Sequence, residues 1–209
     1  MISLQQRSFE DGIGHHQRDP VRVYEEDPVQ SDRIDRARIV LSNIVGRIRA
    51  DEERTARILE LGCGTGDISG PFSEGHTVRG IDCAGQQIEK ARERFPRGEW
   101  LLGPAEYFAS GYWDVVVMCE FLEHIAEPEK MVKQRLLEAE YSIISHPLNE
   151  HPDSQLSGGD HQWSYNEEDF RCWFSIGGHQ LQRSEVFQMG AYNVILGWGR
   201  NDRKKEKGE

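Results

Sequence analysis

Residues 58–66 read Ile-Leu-Glu-Leu-Gly-Cys-Gly-Thr-Gly, an apolar run that passes into three glycines at alternate positions. A buried strand that turns sharply at its carboxyl end needs glycine there, because glycine accepts positive φ angles and lets a ligand approach the backbone closely. The segment therefore predicts a strand followed by a ligand-binding turn. In the dinucleotide-binding fingerprint a third glycine would stand where this chain has Asp67, so hydride chemistry with a nicotinamide is disfavoured.

A second strand-like run, residues 77–82, ends in Asp82. In nucleoside-binding βαβ units an acid at about this distance past the glycines accepts hydrogen bonds from ribose hydroxyls. Asp82 is therefore the predicted ribose ligand, and Gly62, Gly64 and Gly66 would lie against the rest of a nucleoside cofactor. For the glycines taken alone, simple turn formation is an equal alternative.

The wider sequence alternates strand-like and helix-like segments. Strands are predicted at 57–61, 77–82, 99–102, 113–119 and 140–145, and helices from residue 31 and at 85–94, 129–138 and 167–176. The nearly continuous apolar run at 113–119 is typical of a central parallel strand covered on both faces. Two consecutive β-like runs, near 180–188 and 191–199, predict a terminal antiparallel hairpin. We expect an α/β fold with a doubly wound, mostly parallel sheet.

The length of 209 residues suits one domain, predicted at 31–199, with an N-terminal arm or lid at 1–30 and a charged disordered tail at 200–209. No apolar run approaches the ~18 residues of a membrane span, and the N-terminus lacks a signal-like apolar core, so a cytoplasmic protein is expected. The net charge of −11 disfavours a nucleic-acid substrate without excluding it, because phosphate binding relies on Lys and Arg. We expect a small-molecule substrate and no membrane partner; the oligomeric state is not predicted.

Residues 119–125 read Cys-Glu-Phe-Leu-Glu-His-Ile, directly after the predicted fourth strand. In a helical turn, Glu120, Glu123 and His124 would project from one face toward the carboxyl ends of the strands, where open α/β sheets bind ligands. His124, or the later His161, could then accept a proton from a reacting hydroxyl as a general base. The alternative is that Glu123 and His124 only organise the loop and that His161 is a structural histidine.

With Glu60, the glycine segment resembles motif I of the class I S-adenosylmethionine-dependent methyltransferases, Glu/Asp-x-Gly-x-Gly-x-Gly. The run at 122–124 resembles a signature of the branch that includes the ubiquinone-pathway O-methyltransferases. The resemblance implies a Rossmann-like sheet of seven strands, S-adenosyl-L-methionine as cofactor, and O-methylation of a small hydroxylated metabolite, sugar or natural-product intermediate. The implied cofactor contacts are Glu60, Gly62, Cys63, Gly64, Gly66, Asp82, Cys83, Ala105, Glu106 and Glu120.

The pattern Glu120-x-x-Glu123-His124, followed by a His-Gln-Trp run at 161–163, is also similar to the small-RNA 3′-terminal 2′-O-methyltransferases. Members of that family place two Glu and two His around a divalent metal. This resemblance implies Glu120, Glu123, His124 and His161 as ligands of Mg²⁺ or Mn²⁺, which would lower the pKa of a coordinated hydroxyl. An RNA 3′-terminal ribose is thus the second candidate acceptor.

One position departs from the family pattern. After the third strand the usual Asp-Ala pair is replaced by Pro104-Ala105, followed by Glu106. Proline has neither an N–H donor nor a side-chain acceptor, so the adenine contacts would come from the Ala105 backbone and Glu106. This departure leaves a third possibility open, a protein that binds S-adenosylmethionine without turnover.

The connection from residue 146 to residue 163 is the predicted substrate-binding element. Connections longer than ~12 to 15 residues inside compact domains are often binding elements. Its polar side chains, with Trp163 at its end, suit a hydroxylated small molecule. A mobile surface loop is the alternative.

Overall fold

The computed structural model describes residues 30–108, 111–149, 161–190 and 192–201. Its helices are α1 (Ser31–Glu52), α2 (Gly85–Arg94), α3 (Pro128–Leu137) and α4 (Glu167–Ile176). Its strands are β1 (Arg57–Leu61), β2 (Thr77–Asp82), β3 (Glu99–Leu102), β4 (Trp113–Cys119), β5 (Ala139–Leu148), β6 (Gln180–Met189) and β7 (Tyr192–Arg200). The predicted arm, except residue 30, and most of the predicted tail and substrate-binding connection lie outside the described residues.

The seven strands form one sheet in the order β3-β2-β1-β4-β5-β7-β6. Strands β1 to β5 pair in parallel, and β7 pairs antiparallel with both β5 and β6. The predicted fold class, a doubly wound mostly parallel sheet with a terminal antiparallel hairpin, is confirmed. The strand order reverses between β1 and β4, and in such sheets ligands bind outside the carboxyl ends of the strands at this switch point.

Strand β5 is longer than predicted. It continues to Leu148 because its last residues pair with β7, through His146↔Ile195 and Leu148↔Asn193. The prediction ended the strand at residue 145 and began a loop at residue 146. The connection to α4 therefore begins three residues later than expected, and residues at its predicted start are part of the sheet.

Apolar side chains cover the sheet on both faces. All seven residues of β4 are buried. From residue 115 onward they alternate between two core clusters, with Val115 and Val117 on the α1 face and Val116 and Met118 on the α3–α4 face. This burial confirms β4 as a central strand and anchors the residues that follow it. Within the described ranges, no helix combines the length and apolarity needed to cross a membrane.

Candidate active site

The glycine turn after β1 has the backbone geometry that its sequence predicts. Gly62, Gly64 and Gly66 have φ angles of 72°, 51° and 77°. Aromatic rings add a second constraint, since a Cβ on Gly62 would lie 2.8 Å from the Phe121 ring and one on Gly66 would lie 2.9 Å from the Trp100 ring. The first and third glycines are therefore required by packing behind the turn as well as by backbone conformation.

Asp82, the predicted ribose ligand, is fixed at the end of β2. Its Oδ2 accepts a hydrogen bond from the Gly64 N–H at 2.8 Å, and its Oδ1 accepts one from the Ala84 N–H at 2.8 Å. A carboxylate oxygen can accept more than one hydrogen bond, so this orientation is compatible with binding ribose hydroxyls. The structure thus brings Asp82 and the glycine turn together at the switch point.

Glu60, predicted as a cofactor contact, is directed into the protein. Its carboxylate accepts hydrogen bonds from the backbone N–H and the hydroxyl of Ser69. Burial raises the pKa of Glu60 to about 7. These contacts tie the end of β1 to the far side of the glycine turn, and contact with a cofactor stays a prediction.

The cysteines around the crevice are thiols. Burial raises the pKa of Cys83 to about 11, that of Cys119 to about 12, and that of Cys63 well above its usual value. All three are free cysteines. Cys63 and Cys83 can therefore offer a cofactor small apolar surfaces and not thiolate chemistry.

The predicted acid–imidazole residues come together. Leu122–His124 form a single 3₁₀ turn after β4. The ligand atoms of Glu123, His124 and His161 lie within 4.8 Å of one another, and the two imidazole rings meet edge to face with centroids 4.6 Å apart. The Glu123 side chain is buried beneath the two half-buried histidines. Two possible proton acceptors thus stand beside one carboxylate at the mouth of the crevice.

Glu120 does not share that turn, and the prediction of one helical face with Glu123 and His124 is wrong. Its φ is 50°, a left-handed conformation that ends β4 before the 3₁₀ turn begins. Its N–H donates to the Ser145 carbonyl at 3.0 Å, and its carboxylate accepts from the Ser145 hydroxyl at 2.9 Å. Glu120 therefore lies outside the group of three candidate metal ligands.

The position that departs from the family pattern starts a short helix. Pro104 precedes the 3₁₀ turn Ala105–Tyr107. Ala105 is buried, and its carbonyl accepts a hydrogen bond from Arg135 at 2.9 Å, while Glu106 is exposed. Adenine contacts by Ala105 and Glu106 stay predictions.

Sequence reasoning missed Arg33, a buried cation at the crevice. It is 5% exposed, and its Nε donates to the Gln30 side chain at 3.3 Å. Burial dominates the pKa values of Glu60 and Cys119, but the Arg33 charge lowers both, so the guanidinium is within electrostatic reach of the ends of β1 and β4. Among the described residues, no hydrogen bond or ion pair engages its two terminal nitrogens. The available signal was helical spacing, because Arg33 lies four residues before Ala37 on the buried face of α1.

A second missed residue, Arg94, braces the glycine turn from the end of α2. It forms an ion pair with Asp67, which is buried, and donates to the Thr65 carbonyl at 3.0 Å. The Thr65 hydroxyl donates to Asp67 at 2.9 Å. The acid that replaces the third glycine of the dinucleotide fingerprint is thus part of a charged support behind the turn.

Comparisons with known proteins agree with this geometry. A family model described as a methyltransferase domain matches residues 59–136, from β1 to α3, and so includes the glycine turn and the turn that carries Glu123 and His124. The ubiquinone biosynthesis O-methyltransferase of Bordetella avium is 32% identical over 110 residues, which cover 48% of this chain and 46% of the relative. The matched segments span 46% and 35% of the length of two such relatives, less than half of each.

Solved structures share the fold across most of the chain. Magnesium protoporphyrin IX methyltransferase of Synechocystis PCC 6803 with bound SAH matches with a TM-score of 0.62 at 20% identity, over 91% of this chain and 94% of that one. The N-methyltransferase NodS of Bradyrhizobium japonicum WM9, in complex with S-adenosyl-L-homocysteine, matches with a TM-score of 0.67 at 12% identity, over 93% and 98%. The same fold thus serves different acceptors, so the acceptor must be argued from the site.

Proposed function

We propose that this chain, which belongs to the class I S-adenosylmethionine-dependent methyltransferase family, transfers a methyl group to a hydroxyl of a small hydroxylated metabolite, sugar or natural-product intermediate. The observation that carries the proposal is the convergence of Glu123, His124 and His161 within 4.8 Å. Methyl transfer to a hydroxyl needs a proton acceptor beside the acceptor oxygen, and the two imidazoles supply one.

Different residues of the crevice bind different parts of the cofactor in this proposal. Asp82 accepts hydrogen bonds from the ribose hydroxyls, and the turn that it fixes through Gly64 lies against the nucleoside. Arg33 is a buried positive charge in the same crevice and suits the carboxylate of the amino-acid end. The sulfonium methyl would then face the acid–imidazole group after β4.

The transfer itself is a substitution at the methyl carbon. The acceptor oxygen forms a bond to that carbon while the sulfur–carbon bond breaks, and the electron pair stays on sulfur. His124 or His161 takes the hydroxyl proton, and the buried Glu123 carboxylate stabilises the resulting imidazolium. The half-buried histidines can pass the proton on to solvent after transfer.

The same three residues also allow an alternative to the general base, a divalent metal that Glu123, His124 and His161 would hold, with both imidazoles then serving as ligands. One carboxylate and two imidazoles within 4.8 Å of one another suit Mn²⁺ or Mg²⁺. Such an ion, when bound, lowers the pKa of a coordinated hydroxyl. In calorimetric titrations with Mn²⁺ alone, we expect the wild-type chain to bind and Glu123→Ala and His161→Ala to lose binding separately. Unchanged binding in both variants would refute the ligand set.

Kinetics of single histidine variants test the catalytic role. We expect His124→Asn and His161→Asn to lower kcat by about 10²-fold, in the range of a lost general base, with little change in the affinity for S-adenosylhomocysteine. Calorimetry with S-adenosylmethionine and S-adenosylhomocysteine accompanies the kinetics. Tight binding with no transfer to any acceptor would favour the silent binder, and transfer to RNA 3′ ends would favour the ribose acceptor.

A further inference from the structure

The turn that carries Glu123 and His124 is held from outside by a segment far along the chain. Four successive backbone carbonyls, from residue 122 to residue 125, each accept a hydrogen bond from residues 162–165. Leu122 accepts from the Tyr165 hydroxyl at 3.0 Å, Glu123 from the Gln162 N–H at 2.7 Å, His124 from Gln162 Nε2 at 2.6 Å and Ile125 from Trp163 Nε1 at 2.7 Å. We call residues 162–165 the clamp.

A turn this short has little backbone bonding of its own. The structure gives it the bond from the His124 N–H to the Phe121 carbonyl at 3.1 Å, and the carbonyls at the end of a helical turn need partners from elsewhere. The clamp supplies these partners. Gln162 contacts the backbone on both sides of His124 and directly follows His161 in sequence. The same residue therefore sets the placement of both imidazoles.

We propose that Gln162 and Trp163 are positioning residues that keep the imidazoles of His124 and His161 against each other at the reaction site. The inference rests on the proposed function for its catalytic meaning, since that function assigns proton transfer to this pair. Neither Gln162 nor Trp163 needs to touch the substrate. Both act through backbone carbonyls of residues 124 and 125.

A glutamine at position 162 is better explained by a positioning role than by a role in core packing. Gln162 is 1% exposed, and its Oε1 has no hydrogen-bond partner within the described residues. A buried acceptor without a partner is costly, so an apolar side chain of similar length would be the more stable choice for packing alone. What such a side chain would lose is the Nε2 bond to the His124 carbonyl.

The first experiment measures the imidazole pair directly, without turnover. Protein carrying ¹³C-labelled histidine is compared as wild type, Gln162→Met and Gln182→Met, the last being an exposed glutamine whose amide also donates to a backbone carbonyl. We expect a nuclear Overhauser contact between the rings of His124 and His161 in the wild type and the Gln182 variant, and its loss in the Gln162 variant. Retention of that contact in Gln162→Met would overturn the proposal.

Trp163→Phe provides a second variant that keeps an aromatic ring at this position and removes the Nε1 donor. We expect it to weaken the same ring contact, with an unchanged melting temperature and unchanged affinity for S-adenosylhomocysteine. If either variant fails to fold, the other decides the question, and an intact ring contact in the folded one contradicts the clamp.

Turnover then separates this inference from the proposed function. Given an active acceptor, we expect Gln162→Met to lower kcat by at least about tenfold with KM for the cofactor unchanged, because small misplacements of catalytic groups reduce rates strongly. Loss of the ring contact with unchanged kcat would contradict the positioning role. A wild type with the ring contact but without any methyl transfer would instead count against the proposed function.

Discussion

Single buried side chains make the stability of this fold depend on pH. Burial lowers the pKa of His146 to about 4, and its Nδ1–H donates to the Pro147 carbonyl at 2.9 Å. The ring lies among Tyr165 and Phe170, and its Nε2 has no partner within the described residues. The folded protein therefore holds this imidazole neutral, whereas the unfolded chain protonates it near pH 6.5.

The neutral, buried His146 contributes to the free energy of unfolding. We expect this contribution to be fully present above about pH 6.5 and to be lost as the pH falls toward about 4. The total loss is about 3 kcal/mol, from about 1.4 kcal/mol for each unit of pKa difference. Urea unfolding at pH 7 and pH 5 checks this with His146→Phe, which should lose less stability on acidification than the wild type. Equal losses in the two proteins would contradict the assignment. Because Glu60 has a raised pKa and acts in the opposite sense, only the difference between the proteins is informative.

Arg33 allows a test of cofactor binding at one end of the ligand. We expect Arg33→Gln to lower the affinity for S-adenosylhomocysteine by at least about tenfold, because a charge-assisted hydrogen bond to the ligand's carboxylate is lost. 5′-Methylthioadenosine lacks that carboxylate, so its affinity should stay unchanged. Calorimetry with both ligands measures this, and Arg36→Gln, a more exposed residue of the same helix, is the control. An equal loss of affinity for both ligands would show that the substitution disturbs the fold and does not remove a contact with the carboxylate.

At the scale of elements, α2 supports the glycine turn through one ion pair. The Arg94–Asp67 pair is largely buried, with side chains 16% and 4% exposed. Removing one partner of a buried pair leaves an uncompensated charge and costs about 3 to 5 kcal/mol. We expect Arg94→Met to lower the free energy of unfolding by about 3 kcal/mol and to weaken S-adenosylhomocysteine binding.

Urea unfolding measures the Arg94 effect, with Arg97→Met as the matched control. Arg97 pairs with Glu74 on the surface, where both side chains are about two-thirds exposed, so its loss should cost less than about 1 kcal/mol. If both variants lost the same small amount of stability, the buried pair would not support the turn.

Elements were the most predictable level of this fold. Periodicity and glycine placement indicate each strand of the sheet, since local pattern largely decides strand and helix segments. The end of β5 was not predictable, because it depends on pairing with β7 some fifty residues later in the chain. The conformation of Glu120 was missed for the same kind of reason, as its backbone is set by Ser145 on the neighbouring strand.

At the scale of the whole molecule, the site residues that could be predicted are those that belong to a local sequence motif. These motifs are the glycine segment and the run after β4. The sequence alone was enough to name four of them, because their side chains can bind or accept protons and lie in or near recognisable motifs: Asp82, Glu123, His124 and His161. Arg33 and Arg94 could not be named, because they reach the site from the outer helices through tertiary packing. The run at 161–163 was recognised, but its hydrogen bonds to the turn at 122–125 were not predictable. The acceptor is equally hidden, since the same fold is found with different acceptors.

The most direct test of the proposed O-methylation identifies the atom that receives the methyl group. The chain is incubated with S-adenosylmethionine carrying a ¹³C-labelled methyl and a mixture of hydroxylated metabolites, sugars and RNA oligonucleotides, and the products are analysed by mass spectrometry and NMR. The account predicts a ¹³C methyl ether on one hydroxyl, formed by the wild type and lost in a His124→Asn/His161→Asn double variant. Label on nitrogen, label only on RNA ends, or equal transfer by the double variant would contradict it.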